Sequence, residues 1–382
     1  MTAWRLDEAE CAELVELLVG LVASPSPDPP GNEAAVAGFL IGWLEERGFD
    51  VTRDEFAPDR INVLARLKGD GSKPALIFSA HMDTLPIGDG DWGHPAFGAE
   101  IEDGKLYGRG ATDMKSGLAA MAAAALKLRR ADVALAGDLI LAFSAGESSN
   151  LLGAERMVEA GNLKGAGALL VSEPTSLGLV TAEAGALWLR VVASGRPGHA
   201  SAGTADNAIL KLMDFLADVR TNPFADKTNP LLGTATLAIN TISGGTAVNL
   251  TADRAEATLD IRTIPGLTTA DVLARLRAIA GEAIVIDVMD EKPPVVTDPT
   301  DPFAETCLDA VQAVRGVRPK PGGVSYFSDS AAFVPALNIP RVIIGPGQIG
   351  TSGQRDEWVA LDDFATAAEI FAEIAVRMLG AD

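Results

Sequence analysis

The chain begins with apolar residues at helical spacing. Leucine or valine occupies positions 14, 17, 18, 21 and 22, so that these side chains lie on one face of an α-helix. The proline-rich stretch "SPSPDPPGNE" ends this helix, and a second helix is predicted from near Glu33 to about Arg47. The first fifty residues are therefore predicted to form two helices joined by a proline-rich turn.

Apolar runs that end in polar residues then alternate with helical segments. The segments 61–69, 74–86, 138–147 and 167–175 favour β-strands, and some are apolar almost throughout, which is typical of strands covered on both faces. Between them, the alanine-rich segment 115–131 favours a helix. Alternation of strand and helix through residue 180 predicts an α/β layer whose sheet is covered on both sides.

The pattern changes after residue 185, where apolar and polar residues alternate as in half-exposed strands. The predicted elements follow the order β-α-β-β-α-β, at 186–201, 207–220, 234–245, 254–264, 268–281 and 283–289. This order describes a small antiparallel sheet with helices on one face. From "EKPPVVTDPTDPF" onward the α/β pattern returns. We therefore predict a catalytic α/β domain formed by 1–184 and 293–382, interrupted by an inserted α+β domain at 185–292.

Length and charge narrow the classes of function. At 382 residues the chain is long enough for two domains. Its 31 basic and 52 acidic residues give a net charge of −21, which argues against nucleic acid or an anionic membrane as a partner. Two cysteines are too few for a disulfide framework or a thiolate zinc cluster. A signal peptide and a membrane-spanning stretch are not expected, so a cytoplasmic location is predicted.

A histidine and an aspartate close the predicted strand 74–86. Residues i and i+2 of a strand point to the same face, so Asp83 is expected to orient His81 through the ring nitrogen that is not on a metal. Such a carboxylate–imidazole–metal relay fixes the tautomer of the histidine. On its own, however, the pair is more typical of a histidine whose hydrogen bonds are simply satisfied at a strand end.

Three more acids follow turns at the ends of predicted elements. Asp113 lies in "GRGATDMKSG", whose spacing matches neither the Walker nor the dinucleotide pattern, and in isolation it is also a plausible helix cap. Glu147 and Glu173 each follow a buried strand. Open α/β sheets bind ligands at the carboxyl ends of their strands. One acid at such a place is common, but four such sites in chain order indicate a catalytic or metal-binding site.

The remaining histidines are His94 and His199. His94 lies in the loop "DWGHPAFG" and is expected to be a surface or packing residue. His199 lies in "GRPGHAS" within the inserted domain. It is either a turn histidine or a donor that reaches the substrate from a second domain.

Motifs along the chain resemble one metallopeptidase family. "HMDTLP", "GRGATDMKSG", "SEPT", "GHAS", "GGTAVNLTADRAEATLDIR" and "IIGPG", in this order, are similar to acetylornithine deacetylase, succinyl-diaminopimelate desuccinylase, aminoacylase and glutamate carboxypeptidase. The resemblance runs from about residue 35 to the C-terminus. It implies a zinc-peptidase-like three-layer catalytic domain with a ferredoxin-like inserted domain that serves as lid and dimerisation surface.

The resemblance also implies roles for individual residues. Relatives hold two metal ions, usually zinc or cobalt and sometimes manganese, bridged by the aspartate that corresponds to Asp113. His81 and Glu173 would complete the first metal site, and Glu147 would be the general base. His199 would stabilise the oxyanion. The substrate and its carboxylate would be bound by Asn249, Arg262, Gly345 and Gly347.

Two positions depart from the family pattern, and both belong to the second metal. Relatives have a second acid where this chain has Ser148, and a histidine where it has Gly353. A serine hydroxyl is a poor ligand for a divalent cation and glycine offers no side chain, so we predict one tight metal per chain. The alternative is that Ser352, Gln354 or Asp356 supplies a replacement oxygen. Ser148 or Ser149 is also expected to cap a helix beginning near residue 151.

These observations predict a metal-dependent amidohydrolase that cleaves the C–N bond of a small, carboxylate-bearing N-acyl amino acid or related compound. Two alternatives stay open. One is a catalytically silent relative that binds a metabolite, favoured by the two missing ligands. The other is a one-metal hydrolase of a non-peptide C–N bond, such as that of an aromatic amine. A homodimer formed through the inserted domain is expected from the resemblance.

Overall fold

The computed structural model describes residues 4–202 and 206–381. Its internal contacts divide the chain into two compact units. The first comprises Met1–Thr181, Thr297–Gly322 and Ser328–Asp382, and the second comprises Ala182–Val296 and Gly323–Phe327. The sequence prediction placed the insertion at 185–292 and did not foresee that the short segment at 323–327 joins it. Residues 1–3 and 382 of the predicted catalytic domain lie outside the described residues.

The helices are α1 (Glu8–Val22), α2 (Ala34–Glu46), α3 (Ser116–Arg130), α4 (Leu152–Glu159), α5 (Ala208–Val219), α6 (Thr269–Ala280), α7 (Pro302–Arg315), α8 (Ser330–Leu337) and α9 (Leu361–Leu379). The strands are β1 (Asp50–Ala57), β2 (Arg60–Leu67), β3 (Ala75–His81), β4 (Glu100–Glu102), β5 (Lys105–Tyr107), β6 (Leu139–Ser144), β7 (Ala166–Val171), β8 (Val180–Glu183), β9 (Gly185–Ser194), β10 (Thr228–Asn229), β11 (Gly233–Thr234), β12 (Thr236–Gly244), β13 (Arg254–Thr263), β14 (Ile284–Lys292), β15 (Val295–Val296), β16 (Gly322–Val324), β17 (Arg341–Ile343) and β18 (Trp358–Ala360).

The first unit is built on a mixed sheet. Its strands run in the order β1-β2-β6-β3-β7-β17, and β3 pairs in parallel with both β6 and β7. Every residue of β3 and β6 is buried, as their nearly uninterrupted apolar sequences predict for strands covered on both faces. The hairpin β1-β2 extends the sheet in antiparallel fashion.

Small residues let helices approach the sheet closely. Helix α3 packs against α9, and its alanines are buried around most of the helix. A Cβ atom on Gly117 would lie 2.4 Å from the carbonyl oxygen of Ser172, so this glycine permits the contact between α3 and the end of β7. Phe78 of β3 and Phe371 of α9 pack with ring centroids 5.8 Å apart.

The second unit has the predicted β-α-β-β-α-β order. Its antiparallel strands are arranged as β12-β13-β9-β14, and α5 and α6 pack against the sheet and each other. Buried aliphatic residues alternate along β13, which places one face of that strand in the core. The predicted fold class, an α/β domain with a ferredoxin-like insertion, is therefore confirmed.

Candidate metal centre and active site

Three neighbouring parallel strands bring the candidate residues to one edge of the sheet. His81 is the last residue of β3, Glu147 follows the end of β6, and Glu173 follows the end of β7. Because β3 lies between β6 and β7 and runs parallel to both, the three carboxyl ends meet. Asp113 arrives from the turn that precedes α3.

His81, Asp113 and Glu173 converge through their side-chain atoms. The Nε2 atom of His81 lies 3.1 Å from Asp113 Oδ1 and 3.8 Å from Glu173 Oε1. One ligand atom from each residue can be chosen so that all three lie within 4.8 Å of one another. When several atoms bind one divalent cation at about 2.0–2.2 Å, the distances between those atoms are comparable to the separations just given. The donor set, one imidazole and two carboxylates, therefore fits a transition-metal ion.

The electrostatics of this cluster also favour a bound cation. Burial raises the pKa of Glu173 well above its usual range, and the charge of Asp113 raises it further. Burial alone would lower the pKa of His81, but the surrounding carboxylates of Asp83, Asp113 and Glu173 raise it well above the ordinary value. Buried acids this close repel each other unless positive charge lies between them. A cation held by the three side chains would supply that charge.

The orientation of His81 differs from the expectation. Its Nδ1 atom donates a hydrogen bond to the backbone carbonyl of Asp83 at 2.9 Å, whereas the nearest carboxylate oxygen of Asp83 is 3.6 Å away. That carboxylate accepts hydrogen bonds from the amides of Glu147 and Ser148, both at 3.0 Å. The strand β3 ends at His81, so the alternation of side chains along a strand does not extend to Asp83. The histidine tautomer is thus set by a carbonyl, and the carboxylate anchors the turn that bears Glu147.

Glu147 has the environment of a group that exchanges protons. Burial raises its pKa well above the usual value, His81 opposes that change, and Asp329 raises it further. Asp329 is buried at the start of α8 and accepts a hydrogen bond from the hydroxyl of Ser144. The sequence analysis missed Asp329, because an acid before a predicted helix is an ordinary cap and nothing in the pattern connects it with β6.

Glu357, for which the sequence analysis predicted no role, holds the loop that carries Asp113. One oxygen of Glu357 accepts hydrogen bonds from the amides of Gly110, Thr112 and Asp113 at 3.0–3.1 Å. The other accepts one from Arg109 at 2.6 Å. Burial raises the pKa of Glu357 to about 7, and the charge of Asp113 contributes in the same direction. The position of Asp113 therefore depends on a carboxylate 244 residues away in sequence.

The proposed replacement ligands differ in what they contact. Ser352 donates a hydrogen bond to Asp113 Oδ2, the oxygen opposite the one that faces His81. The Asp356 carboxylate accepts a hydrogen bond from the His94 amide at 2.9 Å, and the Gln354 amide group donates one to a carbonyl at 2.6 Å. Of these three side chains, that of Ser352 therefore contacts the ligand cluster, as the donor of a hydrogen bond.

The serines after Glu147 do not cap the following helix. Helix α4 starts at Leu152, its N-cap position is Leu151, and no side chain caps it. The hydroxyl of Ser149 instead donates to Asp28 at 2.5 Å. The capping expectation for Ser148 or Ser149 was therefore wrong, because Leu151 and not a serine occupies the N-cap position.

The glycines of the turn at 345–347 lie against the candidate metal centre. A Cβ atom on Gly345 would lie 2.2 Å from the carbonyl oxygen of Glu173, and one on Gly347 would lie 2.3 Å from that of Thr112. Both glycines are thus required for close backbone packing beside two of the ligand-bearing segments. Their contact with a substrate carboxylate stays a prediction.

The remaining predicted residues belong to the second unit. His199 is exposed, and its Nδ1 atom lies 2.7 Å from the Ser201 hydroxyl. The amide of Ala200 donates to the carbonyl of Asn249 at 3.0 Å, so the segments carrying His199 and Asn249 are paired. Arg262 forms an ion pair with Asp260 at 3.0 Å. Within this unit the guanidinium also lies 5.8 Å from the centre of the Phe327 ring.

The ligand cluster on this fold is that of a metal-dependent enzyme, and comparison with known proteins defines the class as a hydrolase acting on C–N bonds. A family model described as peptidase family M20/M25/M40 matches residues 77–377, and the chain belongs to this family. It is 31% identical to a succinyl-diaminopimelate desuccinylase from Gluconacetobacter diazotrophicus, over 94% of this chain and 95% of that protein. A second desuccinylase, from Methylorubrum populi, is also 31% identical, with coverage of 94% and 96%.

Solved structures show the same fold at low sequence identity. An M20 family metallo-carboxypeptidase from Sulfolobus solfataricus superimposes with a TM-score of 0.80 at 20% identity, covering 97% of this chain and 99% of that one. A Bacillus subtilis protein described as a dinuclear metal-binding peptidase of the M20 family gives a TM-score of 0.78 at 20% identity, with coverage of 98% and 99%. Among the described residues, no helix is long and apolar enough to cross a membrane.

Proposed function

We propose that the protein hydrolyses the amide bond of a small N-acyl amino acid, with N-succinyl-diaminopimelate as the first candidate substrate. The observation that carries this proposal is the convergence of the His81, Asp113 and Glu173 ligand atoms within 4.8 Å, with Glu147 on the adjacent strand end. The 31% identity to desuccinylases over nearly the whole chain supports the substrate class.

His81, Asp113 and Glu173 would hold a zinc, manganese or cobalt ion. Such an ion acts as a Lewis acid that acidifies water and polarises the acyl carbonyl. Glu147 is the proton carrier in this scheme. Its carboxylate takes a proton from the attacking water and returns it to the leaving nitrogen. A raised pKa suits a carboxyl group that must both accept and donate a proton during the reaction.

The second unit would supply substrate contacts. His199 would donate a hydrogen bond to the developing oxyanion, and Asn249 and Arg262 would bind the substrate together with Gly345 and Gly347. The resemblance to the family supports these roles. The ion pair with Asp260 holds the Arg262 guanidinium in a defined orientation, and a guanidinium retains further N–H donors for a substrate carboxylate.

We also propose that one metal ion binds tightly per chain. Asp113 Oδ2, the oxygen that does not face His81, accepts a hydrogen bond from Ser352 and is therefore less available to a second cation. Ser148 and Gly353 stand where relatives have an acid and a histidine. Together these features support a mononuclear site, in contrast to the dinuclear site named for the Bacillus subtilis protein.

Exposed features of the second unit support a homodimer. Strand β12 is an edge strand that is exposed along most of its length. Ile242 of β12 and two side chains of α5, Leu210 and Met213, are more than half exposed. An unpaired strand edge beside exposed apolar side chains is a suitable surface for pairing with a second copy. The cytoplasmic location stays a prediction.

The activity is tested with purified protein loaded separately with zinc, manganese and cobalt. N-succinyl-diaminopimelate, N-acetyl amino acids and dipeptides are incubated with the wild type and with Glu147→Ala, and the released amine is quantified. We expect turnover of at least one substrate by the wild type and loss of that turnover in the variant. Full activity of Glu147→Ala would exclude the mechanism. Ligand-induced stabilisation without product would instead favour the catalytically silent relative.

A further inference from the structure

The turn that presents Glu147 is held at both ends by a buried side chain of β2. The side-chain amide of Asn62 donates to the carbonyl of Gly153 at 2.9 Å, and its oxygen accepts from the amide of Ala145 at 3.0 Å. Arg60 lies two residues earlier on the same strand, so it points to the same face. Strand β2 therefore directs two polar side chains at the segment 145–153.

Arg60 forms a buried ionic cluster with two acids from the proline-rich turn. Its guanidinium makes two hydrogen bonds of 3.0 Å to the carboxylate of Asp28 and one of 2.8 Å to Glu33. Arg60 is 8% exposed, and both acids are fully buried. A buried ion pair is weak support for stability alone, because desolvation of the charges offsets their attraction. The role of the cluster is therefore inferred from the residues that it contacts.

The cluster contacts the turn on both sides of Glu147. Ser149 donates to Asp28 at 2.5 Å and lies 3.2 Å from a guanidinium nitrogen of Arg60. On the other side, a Cβ atom on Gly146 would lie 2.7 Å from Arg60, and Gly146 has φ +73°. Only glycine can both adopt this positive φ and leave room for the Arg60 side chain without strain.

Two buried carboxylates thus hold the backbone around Glu147. Asp83 accepts hydrogen bonds from the amides of residues 147 and 148, and Asp28 accepts one from the hydroxyl of Ser149. The two anchors are themselves connected, because the amide of Asp28 donates to the carbonyl of Thr84 at 2.8 Å.

We infer that Arg60, Asp28 and Ser149 are positioning residues for the general base Glu147, an inference that rests on the proposed function. The network acts through the backbone: Asp28 and Arg60 fix Ser149, and the turn then fixes where the Glu147 carboxylate points. Accurate placement matters for rate, since a displacement of about 1 Å at a reacting group costs up to about 100-fold. The three metal ligands lie on other segments, so we expect removal of the Ser149 hydroxyl to leave metal binding unchanged.

The test uses Ser149→Ala, which removes the contact to the turn and leaves the Arg60–Asp28 pair intact. With the substrate turned over in the panel above, we expect kcat to fall about 10- to 100-fold. KM, the dissociation constant of the metal and the thermal midpoint should change little. Ser149→Thr keeps a hydroxyl and should restore most of kcat. The matched control is Ser148→Ala, which removes the neighbouring hydroxyl and keeps the Ser149–Asp28 contact.

A double-mutant comparison shows whether Ser149 acts through Glu147. In the Glu147→Ala background, adding Ser149→Ala should cause no further loss of residual activity. An unchanged kcat in Ser149→Ala overturns the inference. A lower kcat also overturns it if metal affinity and thermal stability fall together with kcat. If Ser149→Ala does not fold, Arg60→Lys is measured instead, because it keeps the charge but not the bidentate geometry. An inactive wild type overturns the proposed function, and this inference with it.

Discussion

Restoring the two missing ligands should create a second metal site. The double variant Ser148→Glu/Gly353→His supplies the carboxylate and the imidazole that relatives have at these positions. With Asp113 as the shared ligand, a second cation would have three protein donors, a number found in many mononuclear zinc sites. We expect the variant to bind a second metal ion, but weakly.

Two features of the structure determine how weak that binding should be. Gly353 has φ +73°, and an L residue in this conformation costs about 1–2 kcal/mol. Asp113 Oδ2 must also exchange its hydrogen bond from Ser352 for the metal, and a hydrogen bond to a charged group is worth about 1.5–3 kcal/mol. The sum, about 2.5–5 kcal/mol, weakens the second site by a factor of about 70 to 5,000. Adding Ser352→Ala to the double variant should therefore tighten the second site at least about tenfold.

Metal stoichiometry and affinity are measured by elemental analysis after dialysis and by titration calorimetry with zinc. We expect one tight ion in the wild type, a second weak ion in Ser148→Glu/Gly353→His, and a tighter second ion when Ser352→Ala is added. The control is Ser148→Glu/Gly350→His, since Gly350 has a comparable φ of +87° in the same turn but does not match the position of the family histidine. Two tightly bound ions in the wild type would refute the reasoning. The reasoning would also be refuted if the second site of Ser148→Glu/Gly353→His had the same affinity with and without Ser352→Ala.

Three further predictions address the base, the buried cluster and the packing of α3. Glu147→Gln should lower kcat by about 100-fold or more while metal binding is retained, as measured by steady-state kinetics and metal titration. Burial raises the pKa of Glu33 from 4.5 to about 7, so the folded state binds the extra proton between these values and stability falls as pH rises through them. The free energy of unfolding is measured with urea at pH 4.5 and at pH 8. Between these pH values, Glu33→Gln should gain up to about 3 kcal/mol of stability relative to the wild type. An identical change with pH in both proteins would contradict the assignment of the raised pKa to Glu33. Gly117→Ala should destabilise the protein because its Cβ would lie 2.4 Å from the Ser172 carbonyl, whereas Gly42→Ala, in open space on α2, should stabilise it by up to about 1 kcal/mol. Thermal unfolding of both variants checks the opposite signs.

The sequence predicted the components of the site whose placement follows from strand order. His81, Glu147 and Glu173 end three apolar runs, and parallel strands bring their carboxyl ends to one edge whatever the detailed packing. The same reasoning recovered the β-α-β-β-α-β insertion, because alternation along its strands is a local property.

Residues that act on the site from other segments could not be predicted in this way. Glu357 contacts Asp113 across 244 residues, and Arg60 contacts Ser149 across 89. Each of these has an ordinary local interpretation, as a polar residue beside a strand or a turn. Their roles depend on tertiary approach, which hydrophobic periodicity does not encode. The expected contact between the Asp83 carboxylate and His81 failed for a related reason, since β3 stops at His81 and the chain turns there.

The retained acids bear on whether the chain still catalyses. Asp113, Glu147 and Glu173 lie together beside Asp329, and burial together with mutual repulsion raises the pKa of both glutamates. Such crowding opposes folding unless a cation offsets it, so a protein that had lost its metal would be more stable with these acids replaced. The resemblance assigns the missing ligands to the second metal, and Ser352 donates a hydrogen bond to the Asp113 oxygen that does not face His81. The absence of ligands on one side of Asp113, beside an intact ligand cluster on the other, therefore supports the proposal of one tight metal over a complete loss of metal chemistry.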